Sequence, residues 1–214
     1  MARGALVLVV LAALAAAVGG TSTSAATQAS GCPRVKTPKP RSESRKPPKT
    51  RLDPRKTWKA TVQTTCGSFT ILLAVKVSPK TTASFVSLAR SRFFDNTIFH
   101  RVVPGFVIQG GDPTQTGGGG PGYSVVDKPP ASTRYTLGTV AMAKTQTDPS
   151  GASGSQFFVV TGDASFLTPD YAVLGRVVSG LPVALTISRY GDVNDPAGRP
   201  TRIVVVRSIT ISSK

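Results

Sequence analysis

From Trp58 to the C-terminus the chain never stays apolar for longer than a short strand before Gly, Pro or a polar cluster interrupts it. Punctuation of that kind favours many short strands over long helices. WKATVQTTCGSFTILLAV reads as two strands joined at Cys66-Gly67-Ser68, an opening hairpin. In SPKTTASFVSLARS, Ser78 suits the cap and Pro79 the first helical position, while Phe85, Val86, Leu88 and Ala89 supply an apolar helical face. Residues 99–108 are strand-like but broken at Pro104-Gly105, predicting two strands with a bend. Further strands are expected at 138–143, 156–160, 173–178 and 202–211, with a second short helix at 181–189 closed by Gly191. Strands do not alternate with helices as in a parallel sheet, and no internal repeat is found. The expected fold is mainly β, a closed antiparallel barrel with two helices packed on its ends.

The chain before Trp58 has a different character. MARGALVLVVLAALAAAVGG places one Arg before an unbroken apolar run of 14 residues, Ala5 to Val18, followed by small polar residues. A membrane span needs about 20 residues, so the run is read as a cleavable export signal within residues 1–31. Ser24-Ala25-Ala26 is one cleavage context; Gly31-Cys32 resembles a lipoprotein processing site but lacks the large apolar residue expected three places before the Cys. Export permits disulfides, so Cys32 and Cys66 are candidates to pair, tying the tail to the domain. The rival is two unrelated thiols, one of them lipidated or free.

Net charge is +16, and eleven Lys or Arg against Glu43 and Asp53 fall between Pro33 and Lys59. The proline content and near absence of large apolar side chains predict a disordered, extended linker at 32–57, followed by one domain at 58–214. Two roles fit the linker: adhesion to an anionic envelope surface, or a solvated spacer. Without interleaved aromatics it does not read as a nucleic-acid site.

Several chemistries fail on spacing. Gly117, Gly119 and Gly122 spell G-x-G-x-x-G, but Pro121 interrupts the run, an extended stretch follows, and Lys144 stands where a ribose-binding acid belongs. One His, two distant Cys and scattered acids make no metal site, and no other cofactor is implied. Gly-x-Ser-x-Gly is absent, so a hydrolase is not supported.

What remains is a concentration of aromatic and aliphatic residues around a few polar ones. FHRVVPGFVIQGGDP, then GGPGY, VAMAK and GSQFFV, in that order between Trp58 and Ile211, resemble the cyclophilins, the cyclosporin-binding class of peptidyl-prolyl cis-trans isomerases. The resemblance implies an eight-stranded antiparallel barrel capped by two helices, a monomer, no cofactor, and proline-containing polypeptides as partners. It implies that Arg101 is the catalytic arginine, with Gln109 beside it to hold the peptide carbonyl or orient the guanidinium. Phe106, Val107, Phe158 and Leu167 would grip the proline ring, while Ala143 and Lys144 would offer backbone to the peptide. Phe166 stands where animal members usually have Trp, and Tyr171 where they often have His; both exchanges resemble bacterial members. Strand alternation turns His100 away from Arg101, giving it a structural role. The alternative to an isomerase is a non-catalytic holdase or adhesion module whose working part is the basic linker.

Overall fold

The computed structural model describes Met1 and residues 31–214. The apolar export segment and the Ser24-Ala25-Ala26 context lie outside the described residues.

Alternation along the strands decides which face of the sheet is buried. In β1 (Trp58–Thr64) the residues Trp58, Ala60, Val62 and Thr64 are buried and those between are not, and in β2 (Gly67–Leu73) Phe69, Ile71 and Leu73 follow the same rhythm. β1 and β2 pair antiparallel through the turn at Thr65-Cys66. Helix α1 (Pro79–Arg90) comes next, then the short strands β3 (Thr97–Ile98), β4 (Arg101–Val103) and β5 (Val107–Gly110). After these come β6 (Val125–Val126), β7 (Thr139–Met142), β8 (Ala152–Ser153), β9 (Phe157–Val160) and β10 (Val173–Ser179). Helix α2 (Leu181–Ser188) and β11 (Val205–Ser213) complete the order.

Nine strands form one antiparallel sheet in the order β3-β11-β1-β2-β10-β7-β9-β5-β4, and β6 pairs with β8 apart from it. The outermost strands, β3 and β4, are consecutive in the chain and separated only by Phe99-His100. Counted as one bent strand, they bring the total to the eight expected. The sheet is curled, and the chain itself, rather than a continuous hydrogen-bonded ladder, links its two edges. The inner face holds Phe69, Ile71, Val102, Ile108, Val140, Phe157, Val159 and Leu174, covered by Phe85 and Leu88 of α1 and by Ala184 and Ile187 of α2. Phe157 meets Phe85 and Phe94 edge-on at 5.7 and 6.1 Å.

Two local expectations are corrected. Ser78 precedes α1 but makes no side-chain capping bond, and its Oγ is buried without a partner. The orphan amide of Thr81 instead donates to Asp127 Oδ2 at 2.6 Å, so a carboxylate from a distant loop caps the helix and complements its dipole.

The second correction concerns residues 32–57, expected to be disordered. The segment is extended but lies along the domain as a strap, and Gly31–Lys214 form one compact unit. Cys32, Val35, Pro38 and Arg41 turn inward at three-residue intervals, the period of a polyproline-type chain. Cys32 is disulfide-bonded to Cys66, its Cα 4.7 Å from that of its partner. Its N–H donates to the Tyr190 hydroxyl at 2.7 Å, and Gln115 Nε2 donates to Pro38 O at 2.9 Å. Leu52 packs on the core, and Trp58 Nε1 donates to Asp53 O at 3.0 Å. Composition predicted self-repulsion; these anchors offset it, and nine of the eleven basic side chains point to solvent. The disulfide also occupies the sulfur that a lipid thioether would need.

Candidate active site

The outer face of the sheet carries a second, smaller apolar cluster: Val107, Tyr135, Ala141, Phe158, Val160 and Ala164. Because neighbouring residues on a strand face opposite ways, Phe157 enters the main core while Phe158 faces outward. Register does the rest. Arg101 pairs with Gln109 across β4 and β5, Gln109 with Phe158 across β5 and β9, and Phe158 with Ala141 across β9 and β7. One line of cross-strand neighbours thus sets a cation, an amide, an aromatic ring and a methyl side by side. The bend at Pro104-Gly105, with Gly105 at φ +73°, folds β5 back on β4 and makes the first pairing possible.

Over this row lies a cavity of about 350 Å³, lined by Arg101, Phe106, Val107, Gln109, Ala143, Lys144, Phe158, Phe166, Leu167 and Tyr171. All ten residues singled out from the sequence around a proline pocket are brought together there. Phe158 meets the Tyr171 ring edge-on at 5.5 Å, and Tyr135 buttresses both while its hydroxyl donates to Tyr171 O at 2.7 Å. Phe166 is 65% exposed at the rim, stacked on Phe106 with centroids 4.9 Å apart.

The polar side is held by a relay. Arg101 Nη1 approaches Gln109 Oε1 at 3.5 Å, and its guanidinium lies 5.9 Å from the Phe106 ring centre. Gln109 Nε2 donates to Gln156 Oε1 at 3.0 Å, and Gln156 Nε2 donates to the Gly117 and Gly119 carbonyls at 2.8 and 2.9 Å. Gln156 was not singled out from the sequence, although it stands in the GSQFFV block two residues before Phe158. That loop wraps a fully buried carboxylate, Asp112, which accepts from Thr114, Thr116, Gly117 and Gly119 amides. Burial alone would raise the Asp112 pKa, but these bonds win and hold it below the usual carboxylate value. A Cβ at Gly119 would sit 2.1 Å from Asp112 Oδ1, which explains a glycine there without any nucleotide.

His100 lies under the same loop with both ring nitrogens unpaired, since Gln156 is committed elsewhere. Burial pushes its pKa down, against the opposing pull of Asp112. Lys144 contributes backbone rather than charge: its Nζ is tied to Asp170 at 2.7 Å and its side chain is 6% exposed. Ala143 spends its N–H on Gln156 O at 2.9 Å, leaving its carbonyl for the cavity. Among the described residues no three His, Cys, Asp or Glu side chains converge as metal ligands. Chemically the arrangement can desolvate a small apolar ring and donate hydrogen bonds from one guanidinium, and it presents no activated nucleophile.

Residues 59–211 match the family model described as cyclophilin-type peptidyl-prolyl cis-trans isomerase/CLD. Peptidyl-prolyl cis-trans isomerase A of Mycobacterium tuberculosis is 36% identical over 174 residues, covering 74% of this chain and 94% of that protein. Peptidyl-prolyl cis-trans isomerase-like 1 of Gibberella zeae is 39% identical over 134 residues, covering 61% of this chain and 79% of that protein. A crystal structure of a Cryptosporidium parvum cyclophilin-type isomerase in the presence of the dipeptide Ala-Pro superposes with a TM-score of 0.66. It shares 30% identity and covers 73% of this chain and 99% of that one.

Proposed function

From the premise that the chain belongs to the cyclophilin-type peptidyl-prolyl cis-trans isomerases, we propose that it accelerates X-Pro rotation in exported polypeptides, with Arg101 as the catalytic residue. The observation that carries this reading is the cross-strand row Arg101, Gln109, Phe158 and Ala141 beneath a cavity of about 350 Å³.

The X-Pro bond turns slowly because its partial double bond must be twisted, over a barrier of roughly 18–20 kcal/mol. No proton need move and no covalent bond need form. In the twisted state amide resonance is lost and the prolyl nitrogen gains a lone pair. Arg101 donates to that nitrogen and attracts the carbonyl oxygen, interactions stronger in the twisted state than in the planar one. Phe106, Val107, Phe158 and Leu167 hold the ring while the preceding residue rotates. Gln109, fixed by Gln156, keeps the guanidinium turned toward the bond. A thousandfold acceleration requires about 4 kcal/mol of preferential binding to the twisted state, within reach of one charge-assisted hydrogen bond in a partly dry cavity.

The Ala-Pro dipeptide of the Cryptosporidium parvum structure supports proline-containing peptides as substrates here. The apolar N-terminal run and the Cys32–Cys66 disulfide support an exported location, secreted or on the outer membrane face. The outward cations of the strap favour, in addition, adhesion to an anionic surface. Exchange NMR on a short X-Pro peptide tests the central reading: catalytic amounts of protein are expected to bring cis and trans signals into exchange, and unchanged exchange would overturn it.

A further inference from the structure

A second cavity, about 490 Å³, lies beside the first and shares Gln109, Ala143 and Lys144 with it. Its far wall is not made by the barrel. Ser42, Glu43 and Ser44 of the strap form it, facing the loop at 117–122, and all three lie outside the residues that match the family model.

The strap is fastened on both sides of this point. Arg41 N donates to Pro113 O at 3.0 Å and Arg45 N to Pro121 O at 2.8 Å. Glu43 accepts from both the Arg41 and Arg45 guanidinium groups. Arg41 also donates to Phe93 O, and Arg45 lies over the Phe93 ring at 5.8 Å. Gly122, at φ +80°, lets Ser44 approach, since a Cβ there would be 3.2 Å from the Ser44 hydroxyl. Between the two fastenings, the backbone N–H and C=O groups of Ser42 and Glu43 make no hydrogen bond among the described residues.

Only the Ser44 carbonyl on this stretch is engaged, accepting from Arg45 Nη1 at 3.0 Å; an extended chain held at both ends with the backbone groups of two consecutive residues unused is a pairing edge. We propose that Ser42–Ser44 is a substrate-binding edge. An extended segment flanking the isomerised proline lies in the second cavity and hydrogen-bonds to the strap backbone, while the Cys32–Cys66 disulfide holds the strap's N-terminal end in place. The proposal rests on the isomerase reading and extends it from the proline to the chain around it. A dipeptide fills the first cavity alone and gains nothing from the strap; a longer peptide crosses the shared wall and does. Reducing the disulfide therefore weakens activity on long substrates selectively.

The test compares a blocked Ala-Pro dipeptide with a peptide of about twelve residues centred on one proline. Turnover is read by exchange NMR and affinity by titration calorimetry. Two variants release the strap in independent ways: Cys32→Ser with Cys66→Ser, and Arg41→Ala with Arg45→Ala, which leaves the disulfide intact. Circular dichroism checks that each remains folded. For the long peptide, kcat/KM and affinity are expected to fall about five- to tenfold in both variants, the scale of one or two lost hydrogen bonds, while dipeptide values stay within about twofold. Equal losses on both peptides would make the strap a mere prop and overturn the proposal, as would no loss on the long one. Wild-type turnover of the dipeptide tests the isomerase reading separately, and the affinity comparison decides the role of the strap whether or not turnover is seen.

Discussion

Phe166 stacks on Phe106 at the cavity rim and has no indole N–H to donate. The resemblance puts a Trp there in animal members and implies that its indole N–H donates to cyclosporin, so Phe166→Trp should tighten cyclosporin binding in a calorimetric titration; unchanged affinity would refute this. Gln156 acts through Gln109, so Gln156→Leu should lower kcat on a short peptide by about tenfold with KM little changed. A fall in KM-controlled binding alone would contradict a positioning role. Arg101, Gln109 and the proline-cavity aromatics were legible in the sequence because the blocks carrying them are short and ordered. Gln156 was not, since its importance is a hydrogen bond across 39 residues to a glycine carbonyl. Ser78 misled because a hydroxyl at a cap position carries no record of the Asp127 carboxylate that takes its place.

At the scale of elements, the longer strands and both helices could be read from apolar rhythm and from Gly and Pro, with ends shifted by a few residues, whereas the two-residue strands β3 and β8 were not predicted and β6 was read only as an extended stretch. β3 lies just before the strand expected from Phe99, and its backbone pairing runs on to that residue, whose N–H donates to Val204 O at 3.1 Å. The strap was misjudged for a physical reason. Composition reports the average cost of ordering a charged, proline-rich segment, but not the few long-range anchors that overcome it. Removing the anchor at its start should be felt: Cys32→Ser with Cys66→Ser is expected to lower stability by about 2–4 kcal/mol in urea unfolding. The glycine loop depends likewise on one side chain. Asp112→Ala leaves the Thr114, Gly117 and Gly119 amides of a partly exposed loop without their acceptor, and a loss of about 1–3 kcal/mol is expected by the same measurement.

For the molecule as a whole, acid and salt probe different faces. His100 has a folded pKa below its ordinary value near 6.5, so the unfolded chain takes up a proton that the folded one resists. Stability should decline as pH falls from about 6.5 and level off once the folded pKa is passed; below about pH 4 the depressed Asp112 carboxylate adds a second loss. His100→Gln should remove the first decline and keep the second, as read from urea midpoints between pH 7 and 3. On the outside, the exposed cations of the strap predict binding to anionic vesicles that fades at about 0.5 M salt and is absent with neutral lipid. In the proposed function one guanidinium, that of Arg101, performs the catalysis over the cavity. Arg101 is only partly buried and lines the cavity, so Arg101→Ala should keep the circular dichroism spectrum and melting temperature of the wild type. Its isomerase kcat/KM on a short X-Pro peptide should fall about a hundredfold or more; full activity retained in a folded Arg101→Ala protein would contradict the account.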